Sequence, residues 1–155
     1  MRIRAVLSLA ASAAAVLTLA TPAQAADNGD YYIRDARSGA CLSAGQGPVG
    51  GDLRPCGPDT VWALRNEVDR TVRFQDRREP GRCLALSPIH LFPPPVFAGP
   101  CGESPDRWRI EGEDGDAPVA LRLAEIPDLG TLTARGPRAT LGGQGEREWR
   151  LQRLG

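Results

Sequence analysis

Four sulfurs and one imidazole are the side chains best suited to nucleophilic or metal chemistry: Cys41, Cys56, Cys83, Cys101 and His90. Zinc would need four sulfur or nitrogen ligands, yet no Cys-x-x-Cys occurs and a single histidine is available. The remaining chemistry is oxidation to disulfides. Three pairings are possible in principle, but both Cys41 and Cys83 sit in Gly-x-Cys-Leu, and the next cysteine follows 15 and 18 residues later. That repeated setting favours Cys41 with Cys56 and Cys83 with Cys101. Each local bridge is worth about 3 kcal/mol if it acts by restricting the unfolded chain.

His90 has no nucleophile motif beside it, so a surface or packed imidazole is expected rather than a general base. The chain has no lysine, no phosphate-binding loop and no metal motif. Only scattered carboxylates remain as acids or bases; a glycosidase would need two of them at a set separation in space. The expectation is no enzyme, no catalytic residues, no metal and no cofactor. The acidic run Glu111 to Asp116 lacks the ordered oxygen ligands and terminal glutamate of a calcium loop and reads as a solvated turn. So does Arg77-Arg78, set between Asp76 and Glu79.

One stretch has a composition suited to binding. Ser87 to Phe97 places His90, Leu91, Phe92 and Phe97 around three consecutive prolines. Proline lowers the entropy lost when a loop is fixed, and Phe92 offers a face to a sugar ring or an apolar side chain to a protein pocket. These four residues are the candidate ligand-binding loop. The competing expectation is a rigid loop in which Leu91 and Phe97 cover one end of the fold.

The elements that position these groups follow from the rest of the chain. Residues 1–25 carry Arg2 and Arg4, an apolar run from Ala5 to Ala20, and small residues at Ala23 and Ala25, the pattern of a signal peptide cleaved near Ala25. Secretion to the extracellular space, with no membrane association after cleavage, is the expected localisation, and it permits disulfides. Residues 26–30 are expected to be a flexible N-terminus and residues 31–155 a single domain. Without the leader, 17 arginines face 19 acidic groups, so no electrostatic case for nucleic acid exists. The 18 glycines and 14 prolines argue against an all-helical fold.

Self-comparison shows three units of about 40 residues, each running from an apolar strand through a glycine turn to a tryptophan-containing strand. Tyr31 to Arg34 opens the first and Trp62 closes it; Val72 to Phe74 and Trp108 bound the second; Val119 to Leu123 and Trp149 bound the third. Alternation in Trp108-Arg109-Ile110 and Leu121-Arg122-Leu123 is the strand period. Trp62, Trp108 and Trp149 are therefore expected in the core. In the third unit, Leu132 is expected at the place of Cys41 and Cys83, with no second cysteine.

The repeated Gly-x-Cys-Leu, the second cysteine and the following tryptophan resemble the ricin B-type lectin repeat, a β-trefoil family. The resemblance spans roughly Tyr31 to Leu154. It implies an all-β, disulfide-stapled β-trefoil: six strands form a barrel, and six more form three hairpins that cap one end. It also implies a recognition module whose partner is an extracellular carbohydrate; a monomer is expected. The family's Gln-x-Trp is absent: Thr60, Asp106 and Arg147 stand at the glutamine positions. The acidic residue that sugar-binding members carry after Cys-Leu is replaced by Ser43, Ala85 and Thr133. The alternative is a β-trefoil protease inhibitor that presents residues 87–97 to a protease, and a third possibility is a secreted structural domain that has lost its ligand.

Overall fold

A computed structural model describes residues 26–155 apart from Asp114; the leader expected over residues 1–25 lies outside the described residues. Twelve strands account for nearly all the regular structure: β1 (Gly29–Asp35), β2 (Cys41–Leu42), β3 (Leu53–Arg54), β4 (Val61–Asn66), β5 (Val72–Asp76), β6 (Arg82–Leu86), β7 (Val96–Pro100), β8 (Trp108–Glu111), β9 (Ala120–Leu123), β10 (Thr131–Arg135), β11 (Arg138–Gly143) and β12 (Trp149–Arg153). Short 3-10 turns precede β4 and β10 at Pro58–Thr60 and Pro127–Leu129.

Six strands close on themselves. β1 pairs with β4, β4 with β5, β5 with β8 and β8 with β9, all antiparallel. A bridge between Val119 and Trp149 joins the β9 side to β12, and β12 pairs with β1. Closure leaves no free edge along this ring. The other six strands form the hairpins β2–β3, β6–β7 and β10–β11. These meet at one end: Gly51 N–H donates to Val96 O (3.1 Å), Leu53 N–H to Pro137 O (2.7 Å), and Leu141 N–H to Pro94 O (2.8 Å). A six-stranded barrel capped by three hairpins, with two barrel strands and one hairpin from each of three repeats, is the β-trefoil.

The strand alternation works as expected. In β5, Val72, Phe74 and Asp76 are buried while Arg73 and Gln75 are half-buried. Trp62, Trp108 and Trp149 are all at or below 1 % exposure and fill the core with Ile33, Phe74, Leu121 and Leu123. Each indole is also satisfied: Nε1–H donates at 2.8 Å to Leu42 O, Leu84 O and Leu132 O respectively. Three identical bonds define the internal register, and they correct one expectation. Leu132 is the counterpart of Leu42 and Leu84, so Thr131 is the residue at the cysteine position. The strand pairing agrees, since Arg34 faces Cys41, Gln75 faces Cys83 and Arg122 faces Thr131.

Residues 26–30, expected as a flexible N-terminus, make bonds with β4. Gly29 and Asp30 already pair with Leu64 and Ala63, Asn28 Oδ1 accepts from Asn66 N–H at 2.7 Å, and Asn66 Nδ2 donates to Ala26 O at 2.8 Å. The segment shows no apolar alternation, and side-chain bonds supply the anchoring instead.

Candidate recognition surfaces

Disulfides join Cys41 to Cys56 and Cys83 to Cys101. The sulfurs of the second bridge lie near the Asp106 carboxylate. Joined to each other, they have no thiolate to offer a metal.

The positions at which a sugar-binding acid would stand do not present one. Ser43 is 1 % exposed with an Oγ that finds no partner, and Ala85 is fully buried. Thr133 is half-buried on β10 and carries no charge. At the glutamine positions the substitutions keep a structural task. Thr60 Oγ1 accepts from Gly57 N–H at 3.0 Å, and Asp106 Oδ2 accepts from Gly102 N–H at 2.7 Å. Gly57 and Gly102 each follow the second cysteine of their bridge, so both side chains tie that loop to the tryptophan strand. Asp106 is almost wholly buried, and its charge is balanced by Arg73, whose Nε donates to Oδ1 at 3.0 Å.

Two clefts lie beside the loops of the first two hairpins. The first is a small polar cleft of about 70 Å³ between the first hairpin loop and the start of the second repeat. Gln46, Arg54, Asp59, Asp76, Arg78 and Arg82 converge on it. Asp76 is 5 % exposed and its Oδ1 accepts from Arg78 N–H at 2.9 Å, which fixes the turn after β5. Arg54 is held between Asp52 (3.3 Å) and Asp59 (3.6 Å), and Arg82 by Ala98 O (2.7 Å). Donors and acceptors are thus set in place before any ligand arrives. Only Asp76, Arg78 and Glu79 of this group stand out in the sequence, as a solvated turn; the partners from residues 46–59 arrive through hairpin packing that no local pattern encodes.

The second borders the 87–97 loop. Its stem is pinned, with Ser87 N–H donating to Pro95 O at 3.0 Å, Ile89 N–H donating to Ser87 Oγ at 3.2 Å, and Ser87 Oγ–H donating to Pro48 O. Beyond the stem, His90 is exposed, Leu91 is 53 % exposed and Phe92 is 95 % exposed. Leu91 therefore does not seal the fold, contrary to one expectation. His90 and Leu91 line an apolar cleft of about 390 Å³ with Ile89, Pro94, Pro105 and Leu129. Phe97 stands apart from this set, in β7 opposite Ala85, with its ring over Gly99. Of the four loop candidates, His90 and Leu91 line this cleft, while Phe92 and Phe97 do not.

Solved structures share this architecture across most of the chain. A designed threefold-symmetric protein, ThreeFoil, superposes with a TM-score of 0.65 at 18 % identity, covering 82 % of this chain and all of its own. The Rhizoctonia solani agglutinin gives 0.64 at 13 % identity over 86 % of this chain and all of its own. SeviL bound to asialo-GM1 saccharide gives 0.62 at 14 % identity, over 83 % and 100 %. The shared property is the fold. No protein-family model matches the sequence, and no curated protein does.

Proposed function

We propose that the chain is a secreted, monomeric, non-catalytic recognition module of the ricin B-type lectin-like kind, and that it takes an extracellular carbohydrate at the polar cleft of Gln46, Arg54, Asp59, Asp76 and Arg78. The observation that carries this reading is the convergence of fixed carboxylates and guanidiniums in one cleft. Sugar hydroxyls both donate and accept, so carboxylates take their protons and guanidiniums meet their lone pairs, each in a charge-assisted bond. The size suits one edge of a monosaccharide, and an affinity of millimolar order follows unless display in several copies adds avidity. Two disulfides accord with secretion. Among the described residues no helix is long and apolar enough to cross a membrane.

A second reading rests on Phe92. A pinned loop that leaves an aromatic ring exposed suits insertion into a protease as an inhibitor. A glycan array run beside a panel of serine and cysteine proteases decides between them. The carbohydrate reading expects saccharide binding that survives Phe92→Ala and is lost in Arg54→Ala/Asp59→Ala. Stoichiometric protease inhibition, lost when residues 87–97 are shortened, replaces it. Steady release of reducing sugar, abolished by changing Asp59 or Glu79 alone, would make the module an enzyme.

A further inference from the structure

Four arginine pairs face each other directly across adjacent strands: Arg34 with Arg150, Arg65 with Arg73, Arg109 with Arg122, and Arg135 with Arg138. Like charges in that position repel unless something cancels them. Arg73 is cancelled by Glu67 and Asp106, and Arg122 by Glu111. Arg135 and Arg138 flank a tight turn and are both exposed to water.

Arg34 and Arg150 differ from all of these. Arg34 Nε donates to Gly39 O (3.0 Å) and Nη1 to Gln152 Oε1 (3.0 Å), while Arg150 Nη1 donates to Asp116 O (2.9 Å). Every one of these acceptors is neutral. They hold both guanidiniums in place without reducing their charge, and among the described residues neither arginine enters an ion pair. Both side chains line one open cleft of about 370 Å³ with Gln152, Leu151 and Asp116. Arg34 Nη2 and Arg150 Nε and Nη2 have no hydrogen-bond partner among the described residues, so donors remain for a ligand.

We propose that this cleft, on the β1–β12 face where the first and third repeats join, binds an oxyanion such as a sulfate ester or carboxylate carried on an extracellular polymer. The Nε and Nη2 of Arg150 form one fork and the Nη2 of Arg34 adds a further donor for the oxygens of such a group, and its negative charge relieves the repulsion between Arg34 and Arg150. The Asp116 carboxyl, at the rim, opposes the ligand and moderates its affinity. The site is separate from the cleft at Arg54 and Asp59, and its success or failure leaves that reading untouched.

The test is retention of the chain on immobilised dextran sulfate against neutral dextran, at about 50 mM salt where charge interactions are only partly screened. The native chain is expected to bind the sulfated matrix and to pass through the neutral one. Arg34→Gln/Arg150→Gln is expected to lose about tenfold in affinity, and Asp116→Asn to gain about threefold. Arg65→Gln/Arg109→Gln removes the same charge elsewhere and is expected to stay within twofold, with unchanged thermal midpoints certifying all three variants. Titration with inorganic sulfate separates the two sources of the anion. Displacement at millimolar sulfate means the free ion suffices, whereas insensitivity means several esters bind together; both require the dependence on Arg34 and Arg150. No retention of the native chain, or equal loss in the two double variants, overturns the proposal.

Discussion

The first two repeats and the third solve one problem with different chemistry. In each, a loop must be held against the strand that carries the tryptophan's carbonyl partner. Cys41–Cys56 and Cys83–Cys101 do so covalently. In the third repeat Thr131 occupies the cysteine position, fully buried, and its Oγ1 accepts from Gly145 N–H at 3.2 Å. That hydrogen bond closes a similar length of chain. Gly143 lies so close that a Cβ there would meet Thr131 Oγ1 at 2.5 Å. Opposite the cysteine position the third and second repeats thus carry glycines, Gly143 and Gly99, whereas the first carries Arg54. A trefoil core set by three tryptophans accepts either staple.

The comparison breaks first at the tryptophans if it is wrong. Truncating Trp62, Trp108 or Trp149 to alanine is expected to cost about 3–5 kcal/mol each, by denaturant unfolding, with no repeat spared because all three indoles make the same bond. A clearly smaller loss at Trp149 would show that the unbridged repeat is loosely packed. Next come the staples. Removing either disulfide by paired alanine substitution is expected to cost about 3 kcal/mol, whereas Thr131→Val is expected to cost about 1 kcal/mol, the scale of one hydrogen bond. Equal costs would contradict the view that the third repeat relies on the weaker tie.

How much of this could be read from the sequence depends on range. The cysteine pairing, the strand alternation and the burial of the tryptophans are local or periodic signals, and the expected architecture follows from them together with the family resemblance. The one-residue slip at Leu132 follows from counting from the turn glycine: Gly39 and Gly81 precede Leu42 and Leu84 by three residues, Gly130 precedes Leu132 by two, and the indole bonds fix the register. The anchoring of residues 26–30 depends on Asn66, far along the chain. The polar cleft was equally hidden, since Arg54 and Arg78 meet only after two hairpins pack. The glutamine positions look like simple losses in sequence, yet Thr60 and Asp106 still hold their glycines.

Asp106 sharpens the comparison between the first two repeats, where an uncharged and a charged side chain do the same work. Asp106→Asn keeps the shape and removes the charge that Arg73 meets in a nearly buried site; about 1–3 kcal/mol is expected, against less than 1 kcal/mol for Thr60→Ser. Acid titration gives a smaller effect. Asp69 is held below the usual carboxylate range, first by the Thr71 hydroxyl that donates to it, with Arg107 adding attraction. Its contribution is present above the ordinary aspartate pKa and is lost as pH falls through the lowered value, so Asp69→Asn is expected to flatten the acid limb of the stability curve slightly. The smallest effect belongs to Phe92→Ala, expected within about 0.5 kcal/mol of native stability because the ring is in water.

The central claim, recognition at the polar cleft, is tested most directly by mapping amide chemical shifts while titrating a saccharide selected from the array. The account predicts that shifts concentrate at Gln46, Arg54, Asp59 and Arg78 and vanish in Arg54→Ala/Asp59→Ala. Shifts confined to Leu91, Phe92 and their neighbours, with the cleft residues unmoved, would contradict it.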